Sequence, residues 1–154
     1  MGAASGKGHG PTGGTPWPEA SAYVPHRLPM LLLDGIRATS DTESRAFVTV
    51  DPRAWYADAR GAMPAWYGIE LMAQTVAAYS GAFKRRQGLA PVKGYLLGTR
   101  TYSSTLPAFP AGSTLEIHCV YHYSDESGLW AFDCTICLQD LPVATAMLKV
   151  FEEK

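Results

Sequence analysis

Residues 61–74 read GAMPAWYGIELMAQ and begin a long apolar helix. Between Pro64 and Phe83 the sole Asp, Glu, Lys, Arg or His is Glu70, and apolar side chains recur on every side of the helix. A helix that is apolar all round is normally buried. Because an ionised carboxylate is costly to bury without partners, we expect Glu70 to be paired, protonated or held in a site. It is therefore the first candidate for a functional residue.

Signals at both ends set the length of this helix. Pro64 suits the first helical turn, where its missing N–H is not needed. Gly88 supplies a stop, and the cations of residues 84–86 lie at the negative end of the helix dipole. The sequence therefore predicts a helix over residues 64–87, with free N–H groups at Ala65 and Trp66.

Composition limits the kind of protein. The chain has 154 residues, of which 47% are hydrophobic, which is enough for one domain with a core. Its 13 basic and 14 acidic residues give a formal charge of -1, which excludes a strong electrostatic footprint for nucleic acid or an anionic membrane. Residues 1–20 are rich in Gly, Ser, Pro and Thr and are predicted to be a mobile tail. Residues 21–154 are predicted to form a single domain.

The cysteines and the helix composition indicate the environment. Three cysteines make a poor disulfide framework and favour a reducing cytoplasm. Cys134 and Cys137 form a C-x-x-C pair, but residues three apart on a strand point to opposite faces, so we expect neither a metal site nor a cofactor. No secretory signal is visible near the N-terminus. Glu70 and Gln74 interrupt the apolar helix, so we expect it to lie in a protein core and not in a membrane.

Six segments have strand character. Residues 30–34, MLLLD, are interpreted as a buried strand that continues toward Ile36, and residues 43–50 alternate so that Ala46 and Val48 share a face. Turn residues between the later strands favour antiparallel pairing. We therefore predict an α+β fold in which a six-stranded antiparallel sheet curls around one long central helix. The four strands after the helix are predicted over residues 93–103, 114–123, 129–138 and 143–152.

Four motifs in order resemble those of the bacterial (3R)-hydroxyacyl-ACP dehydratases, which have the hotdog fold. Residues 25–34, PHRLPMLLLD, resemble the family's PHRxPFLLVD opening, and residues 63–74 resemble its MPGxLxxEAMAQ helix start. Residues 95–98 and 109–115 resemble its later FLG and VxPGDxL segments. The form MPAW followed by GIExMAQ is similar to one branch, the dehydratase-like subunits of aryl-polyene biosynthesis, which pair with a second hotdog protein.

The resemblance implies roles for several residues. Glu70 matches the family's catalytic carboxylate, which acts on the 3-hydroxyl group when a 3-hydroxyacyl thioester is dehydrated. Backbone N–H groups at Ala65 and Trp66, at the positive end of the helix dipole, would polarise the thioester carbonyl. Ala65 stands where the family has glycine. We expect these two residues, with Tyr56 and Gln74, to bind a substrate carried on an acyl carrier protein.

The family's second catalytic group, a loop histidine, is missing from this chain. The resemblance places it fourteen residues before Glu70, where this chain has Tyr56, and no histidine lies between His26 and His118. His26 matches a structural lead-in turn of the family, and His118 and His122 share the polar face of a predicted strand. A tyrosine, with an ordinary pKa of about 10, is a poor base at neutral pH.

Three hypotheses for function follow. Hotdog dehydratases form dimers whose sites take a histidine from one chain and a carboxylate from the other, so a chain with Glu70 alone is expected to join a histidine-bearing hotdog protein in a heterodimer, with a homodimer as the alternative. The second hypothesis is a catalytically silent acyl-binding or scaffolding module, with aromatic residues 55, 56, 66 and 67 against a flat ligand. The third is a hotdog thioesterase that uses the same groups. Residues 84–86 either meet an acidic carrier protein or simply match the helix dipole.

Overall fold

The fold is a six-stranded antiparallel sheet around one long helix, as the sequence predicts. The computed structural model describes residues 20–25, 30–90 and 94–153. Its elements are a 3₁₀ turn Ala20–Ala22, β1 Gly35–Thr39, β2 Glu43–Thr49, β3 Met63–Pro64, a 3₁₀ turn Ala65–Tyr67, α1 Gly68–Arg86, β4 Gly94–Ser104, β5 Ala108–Phe109, β6 Thr114–Ser124, β7 Leu129–Leu138 and β8 Leu141–Glu152.

The large sheet has the strand order β1-β2-β6-β7-β8-β4, and β3 and β5 form a separate two-stranded sheet. In the described part of the chain, β1 and β4 are therefore the edge strands. The core lies between α1 and the inner face of the large sheet, where Leu71 and Met72 of the helix are fully buried. Val48 of β2 pairs with Leu115 of β6, and both are fully buried beneath α1. Each such side chain contributes about 1.5–3 kcal/mol when buried.

One strip of α1 is less buried than the sequence predicts. Ile69, Glu70, Ala73 and Ala77 are only partly covered, while the residues between them pack into the core. The difference arises because the sheet curls over one side of the helix and leaves the opposite side partly open. Glu70 lies on this open strip, so its carboxylate reaches the surface of the chain.

The first strand begins later than predicted. The segment expected to begin the strand pairs with β2 only at its end, where the N–H of Asp34 donates to the Phe47 carbonyl at 2.9 Å, and β1 starts at Gly35. The side chains of residues 31–33 are nevertheless buried, with Leu32 at 1% exposure, whereas Met30 is 56% exposed. The carboxamide of Gln74 accepts the N–H of Leu32 at 2.9 Å and so replaces a strand partner. The predicted burial is confirmed for residues 31–33, and the strand includes Ile36 as expected, but its hydrogen bonds to β2 begin only at Asp34.

The helix start also differs from the predicted single helix over 64–87. Residues Ala65–Tyr67 form a 3₁₀ turn, and regular α-helix begins at Gly68 and ends at Arg86. Just before the turn, β3 pairs with β5 through Met63 and Phe109, a two-stranded sheet that the sequence pattern does not predict. This pairing holds the helix start against the segment that follows β4.

The three cations at the end of α1 all contact neighbouring parts of the chain. Lys84 lies 3.4 Å from Glu152, whose carboxylate also accepts the Ser80 hydroxyl. Arg86 pairs with Asp41 at 2.9 Å. Arg85 stacks over the ring of Tyr23, 5.2 Å from its centroid. The basic helix end therefore ties α1 to its surroundings.

Two predicted features lie outside the described residues. They are His26 with its lead-in turn and all of the predicted tail except Ala20, which is buried. No helix in the described ranges is both long enough and apolar enough to cross a membrane.

Candidate functional site

The carboxylate of Glu70 is held by a glutamine one helical turn away. Gln74 Nε2 donates to Glu70 Oε2 at 2.8 Å, the spacing at which side chains four residues apart meet on a helix. Gln74 is fully buried, whereas Glu70 is partly exposed. The carboxylate thus rests on the helix surface with one oxygen anchored from below.

Gln74 has further bonds inside the chain. Besides accepting from Leu32, it donates to the Met30 carbonyl at 2.8 Å. Both amide protons are therefore donated to protein oxygens, one at Met30 and one at Glu70. The sequence predicts Gln74 as a substrate-binding residue; the structure places it beneath the carboxylate, where it orients Glu70 and anchors the segment before β1.

Only one of the two predicted helix-start donors is open. The N–H of Ala65 donates to the Pro107 carbonyl at 3.0 Å, as an extension of the β3–β5 pairing, so the prediction of a free donor there is wrong. The described residues supply no acceptor for the N–H of Trp66, as expected in the first turn of a helix. Of the two N–H groups, the one that can donate to a carbonyl oxygen of a bound ligand is therefore that of Trp66.

A tyrosine that sequence reasoning missed contacts this same turn. Tyr102 of β4 donates its hydroxyl to the Ala65 carbonyl. Burial raises the pKa of Tyr102, so the phenol stays protonated and remains a donor at neutral pH. No local pattern could identify it, because the contact joins residues 37 positions apart.

Tyr56, at the position where the resemblance predicts a histidine, is buried and already hydrogen-bonded. Its hydroxyl accepts the N–H of Asp51 at 2.9 Å. Burial raises the pKa of Tyr56 to about 12; the Asp51 hydrogen bond opposes this, and the charges of Asp34 and Asp51 add to it. A phenol with that pKa is not a base at neutral pH.

Aromatic rings surround the helix start. Tyr67 lies 5.5 Å from Trp55 and 6.1 Å from Tyr56 between ring centroids, and 5.9 Å from Trp66. Trp55 is 50% exposed and Trp66 67% exposed, whereas Tyr56 is buried. The Tyr67–Trp55 contact is edge-to-face and the other two are tilted; such ring contacts stabilise the cluster, and its exposed members form an apolar surface beside the open N–H.

The two described histidines lie away from this site. His118 Nε2 is 2.9 Å from Glu43, and His122 Nδ1 is 3.4 Å from Asp133. On β6, the residues that alternate with His118 are the ones buried against the helix, so the imidazoles belong to the outer face of the sheet. Among the described residues, no group of three or more His, Cys, Asp and Glu side chains could hold a metal ion.

The cysteines have no role at this site. Cys119 and Cys134 are buried opposite each other on β6 and β7, and Cys137 is half-buried. Burial raises the pKa of the Cys119 thiol, which makes it a poor nucleophile.

Comparison with known proteins assigns the family. A family model described as ApeP-like, the ApeP dehydratase, matches residues 18–154. The chain belongs to the ApeP-like dehydratase family. Among solved structures, the dehydratase heterocomplex ApeI:P from Xenorhabdus doucetiae is similar at a TM-score of 0.83 and 29% identity, over 88% of this chain and 91% of that chain.

More distant structures share the fold of this ApeP-like chain. A hypothetical thioesterase with coenzyme A from Streptococcus pneumoniae TIGR4 has a TM-score of 0.61 and 16% identity, over 77% of this chain and 84% of that one. The PaaI protein of E. coli, from the phenylacetic acid degradation operon, has a TM-score of 0.60 and 18% identity, over 75% and 80%. At these identities the likeness establishes the hotdog fold alone. The family assignment makes the chain a dehydratase-like hotdog subunit.

Proposed function

We propose that this ApeP-like chain is one subunit of a 3-hydroxyacyl-thioester dehydratase and supplies Glu70 to a site that a histidine-bearing hotdog partner completes. The observation that carries the proposal is a carboxylate anchored by Gln74 in the first turn of α1, four residues after the open N–H of Trp66. The related structure is a dehydratase heterocomplex, which supports a site shared by two different chains. Both described histidines lie on the outer face of the sheet, so we assign the base to the partner.

The geometry suits an elimination reaction. The partner's imidazole takes the proton from C2, the C2–H electrons form the C2–C3 double bond, and the C3–O bond breaks. Glu70, as the carboxylic acid, passes its proton to the 3-hydroxyl group, directly or through a water molecule, so that the group leaves as water and Glu70 is left as the carboxylate. Negative charge grows on the thioester oxygen, and the N–H of Trp66 donates a hydrogen bond to that oxygen. Each positioned acid, base or N–H donor of this kind typically contributes about 10²–10³-fold in rate.

We infer that the substrate is an acyl chain on an acyl carrier protein. The exposed rings of Trp55 and Trp66 beside the N–H suit an apolar or planar chain. The cations of residues 84–86 do not favour carrier docking there, because each already contacts the protein. Three free thiols among the described residues support a cytoplasmic location.

The test is a dehydration assay of the chain alone, the partner alone and the two together. The partner for this assay is to be a histidine-bearing hotdog protein that is encoded nearby and that co-purifies with this chain. We expect turnover of a 3-hydroxyacyl carrier-protein thioester only in the mixture. Glu70→Gln should lower kcat by about 10²-fold or more, because it removes the proton donor and leaves the helix unchanged.

The matched control is Glu116→Gln. Glu116 lies on the outer face of β6 and pairs with Arg37 at 3.0 Å, so its loss should leave kcat unchanged. Full activity of the Glu70→Gln complex would reduce Glu70 to a structural role and favour the silent acyl-binding module. Release of free thiol from an acyl thioester by this chain alone would identify a thioesterase instead.

A further inference from the structure

The hydroxyl of Tyr102 contacts one end of the peptide group whose other end is the N–H of Trp66. Tyr102 donates to the carbonyl of Ala65, and this carbonyl shares its peptide bond with the N–H of Trp66. A trans peptide is planar, and its C=O and N–H point in opposite directions. A donor fixed on the carbonyl side therefore fixes the direction of the N–H on the other side, where the described residues provide no acceptor.

An irregularity in β4 brings Tyr102 to this position. Thr101 has φ of 54°, in the left-handed region, and the register between β4 and β8 shifts between Arg100 and Ser103. This conformation is costly for a β-branched residue and persists only where the surrounding structure enforces it. The bulge lets the edge strand turn a large side chain inward at Tyr102, which is half-buried against the helix start.

The helix start is shaped to receive the hydroxyl. A Cβ atom on Gly68 would collide with the Tyr102 hydroxyl and would lie 3.1 Å from Ile136 Cδ1. Glycine at this position therefore makes room for the contact. The N–H of Gly68 also donates to the Ala65 carbonyl, so two donors converge on that oxygen.

We propose that Tyr102 is a positioning residue that aims and strengthens the N–H of Trp66 for the thioester carbonyl of the substrate. A hydrogen bond to a peptide oxygen polarises the whole peptide group and makes its N–H a stronger donor. Hydrogen-bond donors that are oriented in advance act most strongly where charge develops in the transition state. This inference rests on the proposed function, since it concerns the same site.

The test is Tyr102→Phe, which removes the hydroxyl and keeps the ring. In the complex with the histidine-bearing partner, we expect kcat to fall by about tenfold with little change in KM, because one hydrogen bond that matters mainly in the transition state is weakened. Tyr123→Phe is the control, since Tyr123 is 41% exposed on β6 and should leave kcat unchanged.

Two readouts test the aiming role without turnover. The first is the infrared band of a bound 2-enoyl thioester labelled with ¹³C at its carbonyl, which hydrogen bonding moves to lower frequency. The second is the ¹⁵N shift of the Trp66 amide, which reports on the peptide group. Tyr102→Phe should move the carbonyl band towards its frequency in water-free solvent and should move the Trp66 resonance, whereas Tyr123→Phe should move neither.

The outcomes separate this inference from the proposed function. A moved carbonyl band together with a fully active Glu70→Gln complex would support the role of Tyr102 and refute that of Glu70. If Tyr102→Phe leaves the carbonyl band of the bound thioester where it is in wild type, the inference is overturned. This holds if kcat is unchanged, and it holds if kcat falls only as much as the folded fraction measured by circular dichroism. In that case Tyr102 is a packing residue.

Discussion

Replacing Gln74 with methionine, which has a similar volume and no amide, should destabilise the fold by about 3–5 kcal/mol. Four bonds are lost: from the N–H groups of Leu32 at 2.9 Å and Leu33 at 3.4 Å, to the Met30 carbonyl at 2.8 Å and to Glu70 at 2.8 Å. Leu32 is 1% exposed, so its N–H would be left buried without an acceptor, at about 1–3 kcal/mol. The bond to the carboxylate is worth about 1.5–3 kcal/mol, and the Met30 carbonyl can turn to water at little cost.

Urea unfolding followed by tryptophan fluorescence measures this loss directly. A change of this size should lower Tm by about 10–20 °C in a domain of this length. Gln74→Glu distinguishes the hydrogen bonds from the volume. The introduced carboxyl can still accept from Leu32, but it can donate to Glu70 only when protonated.

That second variant has a defined pH dependence. Its neutral form is favoured in the folded state, so folding raises the pKa of the introduced carboxyl. The free energy of unfolding of Gln74→Glu should therefore be higher at about pH 5 than at about pH 8 and should fall as the pH rises. A Gln74→Met protein within about 1 kcal/mol of wild type, or a Gln74→Glu protein with no such pH dependence, would refute the assignment of Gln74 as the link between Glu70 and the segment before β1.

Two further substitutions test the helix start and the histidine position. Gly68→Ala should cost about 1–3 kcal/mol in urea unfolding, because its Cβ meets the Tyr102 hydroxyl. Tyr102→Phe in the same chain should recover part of that loss, whereas strictly additive losses would mean that the two residues do not touch. Tyr56→Phe should cost about 1–2 kcal/mol by leaving the Asp51 N–H without its acceptor, and should not move the pH profile of activity, since the pKa of Tyr56 is about 12. Because that pKa is raised above the unfolded value of about 10, wild type loses stability as pH rises from about 10 to 12, and Tyr56→Phe should remove this loss. A shifted activity profile would contradict this interpretation.

The elements that the sequence predicts well are those set by local pattern. The bounds of β7 match the prediction at Leu129–Leu138, because alternation and a turn on each side define the strand. The start of β1 was placed too early because the N–H of Leu32, in the apolar run before β1, bonds to Gln74, 42 positions away in the chain, and not to a neighbouring strand. The β3–β5 pairing escaped prediction for the same reason, since two-residue strands carry no periodic signal.

In the candidate site, too, some features follow from local sequence pattern and others depend on residues far away in the chain. A single acid in an apolar helix is a local signal, and it led to Glu70 from the sequence alone. Whether a backbone N–H or C=O group at the helix start is already hydrogen-bonded depends on residues far away in the sequence. The N–H of Ala65 is occupied because Pro107 lies beside it, and the carbonyl of Ala65 is contacted because a bulge at Thr101 turns Tyr102 inward.

The buried amide of Gln74 has a consequence for how descendants of this fold diverge. The amide holds the segment before β1 through Leu32 and Met30 as well as the carboxylate of Glu70. A relative that had lost the activity would therefore still need an amide there in order to fold. The carboxylate of Glu70 and the hydroxyl of Tyr102 do not hold the segment before β1, although the ring of Tyr102 packs against the core. An inactive descendant can therefore lose those two while keeping Gln74, and a glutamine at this position by itself is a marker of folding and not of chemistry.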